Sequence, residues 1–197
     1  MRRTTFDALL TAVGIGLAAI LLIAGGLLTW GYTFTNSQVH NQLAAQKIYF
    51  PPTGSAELTA LPTADRAAIS AYADQQLVNG QQAQAYADHF IAVHLQAIGA
   101  GKTYSQLSAA ALAQPTNAKL AAQVQTMFRG TTLRGLLLNA YAFWQVGQIA
   151  LIAAIAAFAG AALMLVLSAF GIAHLRRIPP QAEVLAGLGA HEKITAA

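Results

Sequence analysis

The sequence predicts an all-α protein in which two transmembrane helices flank an extracytoplasmic helical bundle or hairpin domain. Three observations predict it. Two long runs, Ala8 to Trp30 and Gly135 to Ala173, contain no charged residue. The segment between them has helical spacing interrupted by Pro and Gly, and nowhere alternates as a strand would. Arginine pairs stand at the start of the first run and the end of the second. The chain accordingly divides into a cytoplasmic N-terminus (1–7), a first transmembrane helix (8–33), an extracytoplasmic helical domain (34–145), a second transmembrane helix (146–173) and a cytoplasmic tail (174–197).

Composition agrees with that division. Of 197 residues, 56% are hydrophobic and only 9% charged, whereas a water-soluble domain carries about a quarter charged residues. Two spans account for the deficit, because each removes roughly 20 positions from water. The net charge of +4 does not signal a nucleic-acid partner. Arg2, Arg3, Arg176 and Arg177 flank the apolar runs and form no basic stripe interleaved with aromatics. Cysteine is absent, which excludes disulfides, thiolate ligands and cysteine nucleophiles.

Ala8 to Trp30 would rise about 34 Å as a helix, enough for a hydrocarbon layer of about 30 Å. A cleaved signal peptide would have an apolar stretch of about 7–15 residues and a small-residue cleavage site. Here the run is longer and ends in Thr29-Trp30-Gly31-Tyr32, which favours a retained anchor. The second run covers about 39 residues, more than a bilayer needs. Its early part holds Asn139, Gln145 and Gln148 among Tyr141, Phe143 and Trp144, and reads as a helix descending towards the headgroups. Orientation follows from the positive-inside rule, with aromatic belts at the opposite ends. Trp30 and Tyr32 mark one interface position and Tyr141 and Trp144 the other, giving a plasma-membrane protein with both termini inside.

In the central segment, Asn36 to Lys47 continues the first span as a helix. Tyr49-Phe50-Pro51-Pro52-Thr53-Gly54 must be extended, since a residue before proline is excluded from the α region. It either docks a partner through its aromatics or straps across the bundle and supplies core side chains. Thr63 reads as an N-cap, with Ile69, Tyr72, Ala73 and Gln76 on one helical face. Asn79-Gly80 reads as a helix stop. A helix over 81–98 would present Tyr86, Phe90 and Ile91, ending at Gly99 and Gly101. A short helix follows over 105–113, and Thr116 or Asn117 caps a last one carrying Leu120, Val124, Met127 and Phe128. That last helix would run on into the second span.

Four groups of residues invite a functional reading. Asp88, His89 and His94 are weak metal candidates. An i, i+5 spacing sets two histidines about 140° apart on an α-helix, which suits hydrogen-bonded imidazoles better than one shared ion. Arg129 and Arg134, each followed by a glycine, stand above the second span as lipid- or anion-contacting residues or as plain interface markers. Ala153, Ala157, Gly160 and Ala161 give the small-residue spacing of a close helix contact. The interfacial aromatics named above are the fourth group. There is no G-x-S-x-G, H-E-x-x-H or phosphate-binding loop, and neither span carries a charge.

The motifs Lys47-Ile48-Tyr49-Phe50-Pro51-Pro52, Ala85-Tyr86-Ala87-Asp88-His89-Phe90, Lys102-Thr103-Tyr104-Ser105-Gln106 and Phe128-Arg129-Gly130 through Tyr141 carry a resemblance. By them the chain resembles a family of actinobacterial two-span membrane proteins of unestablished function. Some members bear the name of an aromatic ring-opening dioxygenase. This sequence does not support that chemistry, because a non-haem iron site needs two histidines and a carboxylate converging on one ion. The resemblance implies a host envelope and no activity.

The function expected is that of a noncatalytic envelope protein, an accessory or scaffolding subunit without catalytic residues or cofactor. Its expected partners are the lipid bilayer and either further copies of itself or another membrane protein, with no nucleic acid. The alternative is an extracytoplasmic ligand- or lipid-binding module. An enzyme using His89 is a third reading.

Overall fold

The structure, a computed structural model, describes residues 3–177. Arg2, the side chain of Arg3 and the tail from Ile178 onward lie outside the described residues. Among the described residues seven α-helices follow in order: α1 (Arg3–Gln46), α2 (Ala56–Thr59), α3 (Thr63–Ser70), α4 (Gly80–Tyr86), α5 (Ala92–Gly99), α6 (Tyr104–Ala113) and α7 (Ala118–Leu175). A π turn, Ala87–Ile91, joins α4 to α5. Among the described residues there is no strand, only one antiparallel bridge between Tyr49 and Gln76. Two helical stretches, Thr5–Gln46 and Ala118–Leu175, are long and apolar enough to cross a membrane.

The chain forms two compact units, Met1–Trp30 with Ala150–Ala197, and Gly31–Ile149. In the first, small residues let two helices approach closely. Ala18, Ala154 and Ala161 are fully covered. A Cβ placed on Gly14 would stand 2.6 Å from the Ser168 hydroxyl oxygen, and one on Gly171 would stand 2.5 Å from that of Thr11. Thr11 remains satisfied, since its hydroxyl donates to the Asp7 carbonyl at 2.8 Å. Of the stripe expected from sequence, Ala157 and Ala161 are buried and Gly160 faces Leu21. Ala153 is only half-buried, and Ala154 takes its place. Repeated steps of four over-rotate by about 40° each on a 3.6-residue helix, so alternating steps of three and four keep a straight seam.

The second unit is built around Val39, Leu43, Phe50, Leu58, Leu61, Ile69, Leu77, Ala83, Ala87, Ile91 and Leu137. Helix α1 ends where Lys47 turns left-handed at φ 51°. The Gln76 side-chain amide donates to the Ala44 carbonyl at 2.8 Å. The chain then strings across the unit as a strap. Phe50 N–H donates to the Gln75 carbonyl and Leu77 N–H to that of Ile48, each at 2.9 Å. The Asp74 carboxylate accepts from the Thr53 N–H and hydroxyl at 3.2 and 3.1 Å. Phe50 is 1% exposed and Tyr49 58%, so the strap delivers one ring inward and leaves one outside.

Several local expectations are corrected. Thr63 is the first residue of α3, whose N-cap position is Pro62, and α3 stops at Ser70, leaving Gln76 in the bridge rather than on its face. Asn79-Gly80 starts a helix instead of ending one: Asn79 Oδ1 accepts from Gln82 N–H at 2.9 Å. The same residue chemistry serves both ends of a helix, and the chain direction of the next apolar run decides which. The single helix expected over 81–98 is split by the π turn. Its end is made by Ala100 and Gly101, both at positive φ, while Gly99 is helical and buried. Helix α6 begins with a capping box of Thr103 and Gln106. Asn117, not Thr116, caps α7 by accepting from Leu120 N–H at 3.1 Å. From there α7 runs unbroken to Leu175.

Candidate functional site

Three charged side chains of the second unit, Asp65, Asp88 and Arg134, meet at the π turn. A π turn inserts an extra residue into a helix and is common at functional sites. Here buried Ala87 and Ile91 anchor it to the core, and the Tyr86 ring lies tilted against that of Phe90 with centroids 4.8 Å apart. Arg134 on α7 reaches across to it. Its Nε donates to the Ala87 carbonyl at 3.2 Å and a terminal nitrogen to Asp88 Oδ1 at 2.6 Å. The next residue, His89, places Nδ1 2.8 Å from Asp65 Oδ1 on α3. His94 turns back on its own helix, with Nδ1 2.7 Å from the Phe90 carbonyl and its ring 4.4 Å from that of Phe90.

The three metal candidates therefore have separate partners. The α-helical angle between His89 and His94 does not apply across a π turn, yet the two rings still engage different groups. Among the described residues no group of three or more His, Cys, Asp or Glu side chains is placed to hold a metal ion. Asp65 was invisible as a partner from sequence, because it precedes His89 by 24 residues and belongs to another helix.

Arg134 directs Nε and one terminal nitrogen to the π-turn backbone and Asp88 and keeps 39% of its side-chain surface exposed. Arg129 is exposed and borders a shallow apolar groove of about 310 Å³ with His94 and Leu95. The paired glycines also separate in role. Gly130 makes room for Leu95, whose Cδ2 would stand 2.5 Å from an added Cβ, whereas Gly135 has nothing within 4 Å.

Among the aromatics expected at an interface, Trp30 is largely exposed and Tyr32 and Tyr141 are half-buried. Trp144 packs on the core of the second unit and fills the space left by buried Gly80, because its position on α7 faces α4. Close to this core, burial raises the Tyr86 hydroxyl pKa above its ordinary 10.0, and the nearby Glu57 charge raises it further. Tyr86 meets Phe50 edge to face at 5.3 Å and stays a neutral aromatic.

The Arg134–Asp88 pair predicts a measurable coupling. Both side chains are partly exposed, at 39% and 33%, so solvent screening limits the pair to about 0.5–1 kcal/mol. A double-mutant cycle of Arg134→Gln and Asp88→Asn, read by urea unfolding, should return a coupling of that size. A coupling indistinguishable from zero would mean that the π turn does not depend on the pair.

A larger concavity lies between the C-terminal stretch of α1 and the facing stretch of α7. It has a volume of about 550 Å³ and is bordered by Phe34, Val39, Leu43, Leu136, Leu137 and Phe143, with Gln38, Gln42 and Gln46 along one wall. The helix over this stretch was legible in the sequence; the groove beside it was not, because it exists only where α1 and α7 lie side by side. Comparison of the chain with protein-family models, with curated proteins and with solved structures finds no match.

Proposed function

We propose that this chain is a noncatalytic plasma-membrane envelope protein, in which two spanning helices hold an extracytoplasmic helical domain as an accessory or scaffolding subunit. The observation that carries this reading is the assignment of the ionisable groups around the π turn. Asp88 is bonded to Arg134 and His89 to Asp65 across helix boundaries, and these contacts hold α3, the π turn and α7 together. Groups used in that way are structural fastenings, and they do not converge on a common cavity.

The membrane part of the reading is supported by two helical stretches of sufficient length and apolarity and by the arginine pairs at their like-sided ends. Labelling tests it without a background, because the sequence has no cysteine. Cysteine introduced by Ser105→Cys should react with an impermeant thiol reagent on intact cells, and that from Thr4→Cys should react only after lysis. The reverse pattern sinks the orientation. For the accessory role, native mass spectrometry of gently extracted protein should show a stoichiometric protein partner or a defined oligomer; a bare monomer argues against it.

A second reading, a lipid-binding module, is favoured by the 550 Å³ groove. Its volume falls within the range of about 300–1,000 Å³ typical of small-molecule sites.

A further inference from the structure

The groove between α1 and α7 has a floor of buried Val39, Leu43 and Leu137. On its α7 wall, Leu136 and Phe143 keep 62% and 57% of their surface exposed. Apolar surface of this kind, gathered in one concavity, marks a place where something apolar binds. Its dimensions suit an extended chain. From Phe34 to Gln46 the α1 wall runs about 18 Å along the helix axis, and carbon atoms in contact lie about 4 Å apart, so a hydrocarbon chain can lie along a groove of about 550 Å³.

Chemistry narrows the choice. The lining contains no ionisable side chain: its polar groups are the amides of Gln38, Gln42, Gln46 and Asn139 and the hydroxyl of Thr35. Thr35 already donates to the Gly31 carbonyl at 2.9 Å. An occupant charged along its length would find no counter-charge there. Position points to the source. The groove begins at Phe34 and Phe143, within a few residues of Trp30 and Val146, where the apolar spans end in sequence. The uncharged run of α7 from Gly135 to Ala173 extends about 58 Å as a helix, against a hydrocarbon layer of about 30 Å. Part of that apolar length is therefore left outside the layer and needs other cover.

We propose that this groove holds one acyl tail of a phospholipid drawn from the adjoining leaflet. The proposal rests on the membrane-spanning reading given above and adds to it a lipid site in the outer domain.

Photolabelling of the full-length protein tests both levels separately. The protein is reconstituted in phosphatidylcholine–phosphatidylglycerol vesicles containing a trace of phospholipid with a diazirine midway along one tail. After irradiation, adducts are mapped by peptide mass spectrometry. Adducts are expected on both spans and also on residues 34–48 and 133–143. Ala140→Phe places a ring in the groove, and Leu136→Gln makes its exposed wall polar; each should lower the groove adducts several-fold and leave span adducts unchanged. Adducts confined to the spans, or groove adducts undiminished in both variants, overturn the proposal while the membrane reading stands. A native dimer with unlabelled groove peptides also overturns it and assigns the groove to a second copy. Absence of adducts from the spans overturns the membrane reading itself.

Discussion

Replacing Phe50 by alanine should destabilise the helical unit 31–149 by about 3–5 kcal/mol, the range for truncating a fully buried phenylalanine. The ring is 1% exposed and touches Tyr72 and Tyr86 at centroid distances of 5.2 and 5.3 Å. Its removal leaves a cavity beneath a strap that is fixed at both ends, by the bridge to Gln76 and by the Thr53–Asp74 bonds. The strap cannot sink to fill it, so the loss should lie towards the upper end. Native domains have only about 5–15 kcal/mol in hand, so the variant should also become protease-sensitive in residues 48–100. Tyr49→Ala supplies the control. That neighbour is 58% exposed, and its loss should move stability by no more than about 0.5 kcal/mol. Urea unfolding in detergent, followed by Trp144 fluorescence in a Trp30→Phe background, measures both. Equal losses for the two variants would show that the strap is not part of the core.

Two glycine-to-alanine changes should have opposite signs. At Gly80, an added Cβ would lie 2.3 Å from the Trp144 Cβ and 2.5 Å from its Cγ. Those atoms sit at the root of the side chain, so rotation of the indole cannot relieve the clash and α4 must move away from α7. Overpacking of this kind costs about 1–3 kcal/mol, partly offset by the better helix propensity of alanine. At Gly135, within α7, nothing lies within 4 Å. Gly135→Ala should stabilise by about 0.5–1 kcal/mol, because glycine gives up more backbone freedom than alanine on entering a helix. The same unfolding assay reads both, and a blue or red shift of Trp144 emission should accompany only the Gly80 change. Stabilisation by Gly80→Ala would mean that α4 and Trp144 are not in close contact.

These two cases also show where sequence reading stops. The all-helical class and the two membrane-length helices were legible, because they depend on apolar run length and on the placement of charge, and both are one-dimensional properties. Breaks at Pro51, Pro115 and Gly101 were legible for the same reason: the constraint is local to the backbone. Caps were read less well. Asn79-Gly80 carries chemistry suited to either helix end, and only the bond from Gln82 N–H to Asn79 settles it as a start. The small-residue stripe shifted from Ala153 to Ala154 because a repeat of four drifts around a helix, which a letter pattern does not display.

The candidate site divides along the same line. His89, His94, Asp88, Arg129 and Arg134 stood out in the sequence by their grouping within a chain only 9% charged. Sequence by itself determined that spacing and nothing of their partners. Tertiary structure decided their partners: Asp65 for His89, Asp88 and the Ala87 carbonyl for Arg134, a half-open apolar groove beside neither. The π turn between α4 and α5 was decided there too. No residue in Ala87–Ile91 forbids an ordinary α-helix, and the turn appears where buried Ala87 and Ile91 and the reach of Arg134 meet. Run length, charge and local breakers act through neighbours in the chain and can be read in order. Partner choice, seam register and groove shape act through residues brought together from distant positions, and they exist only once the helices are side by side.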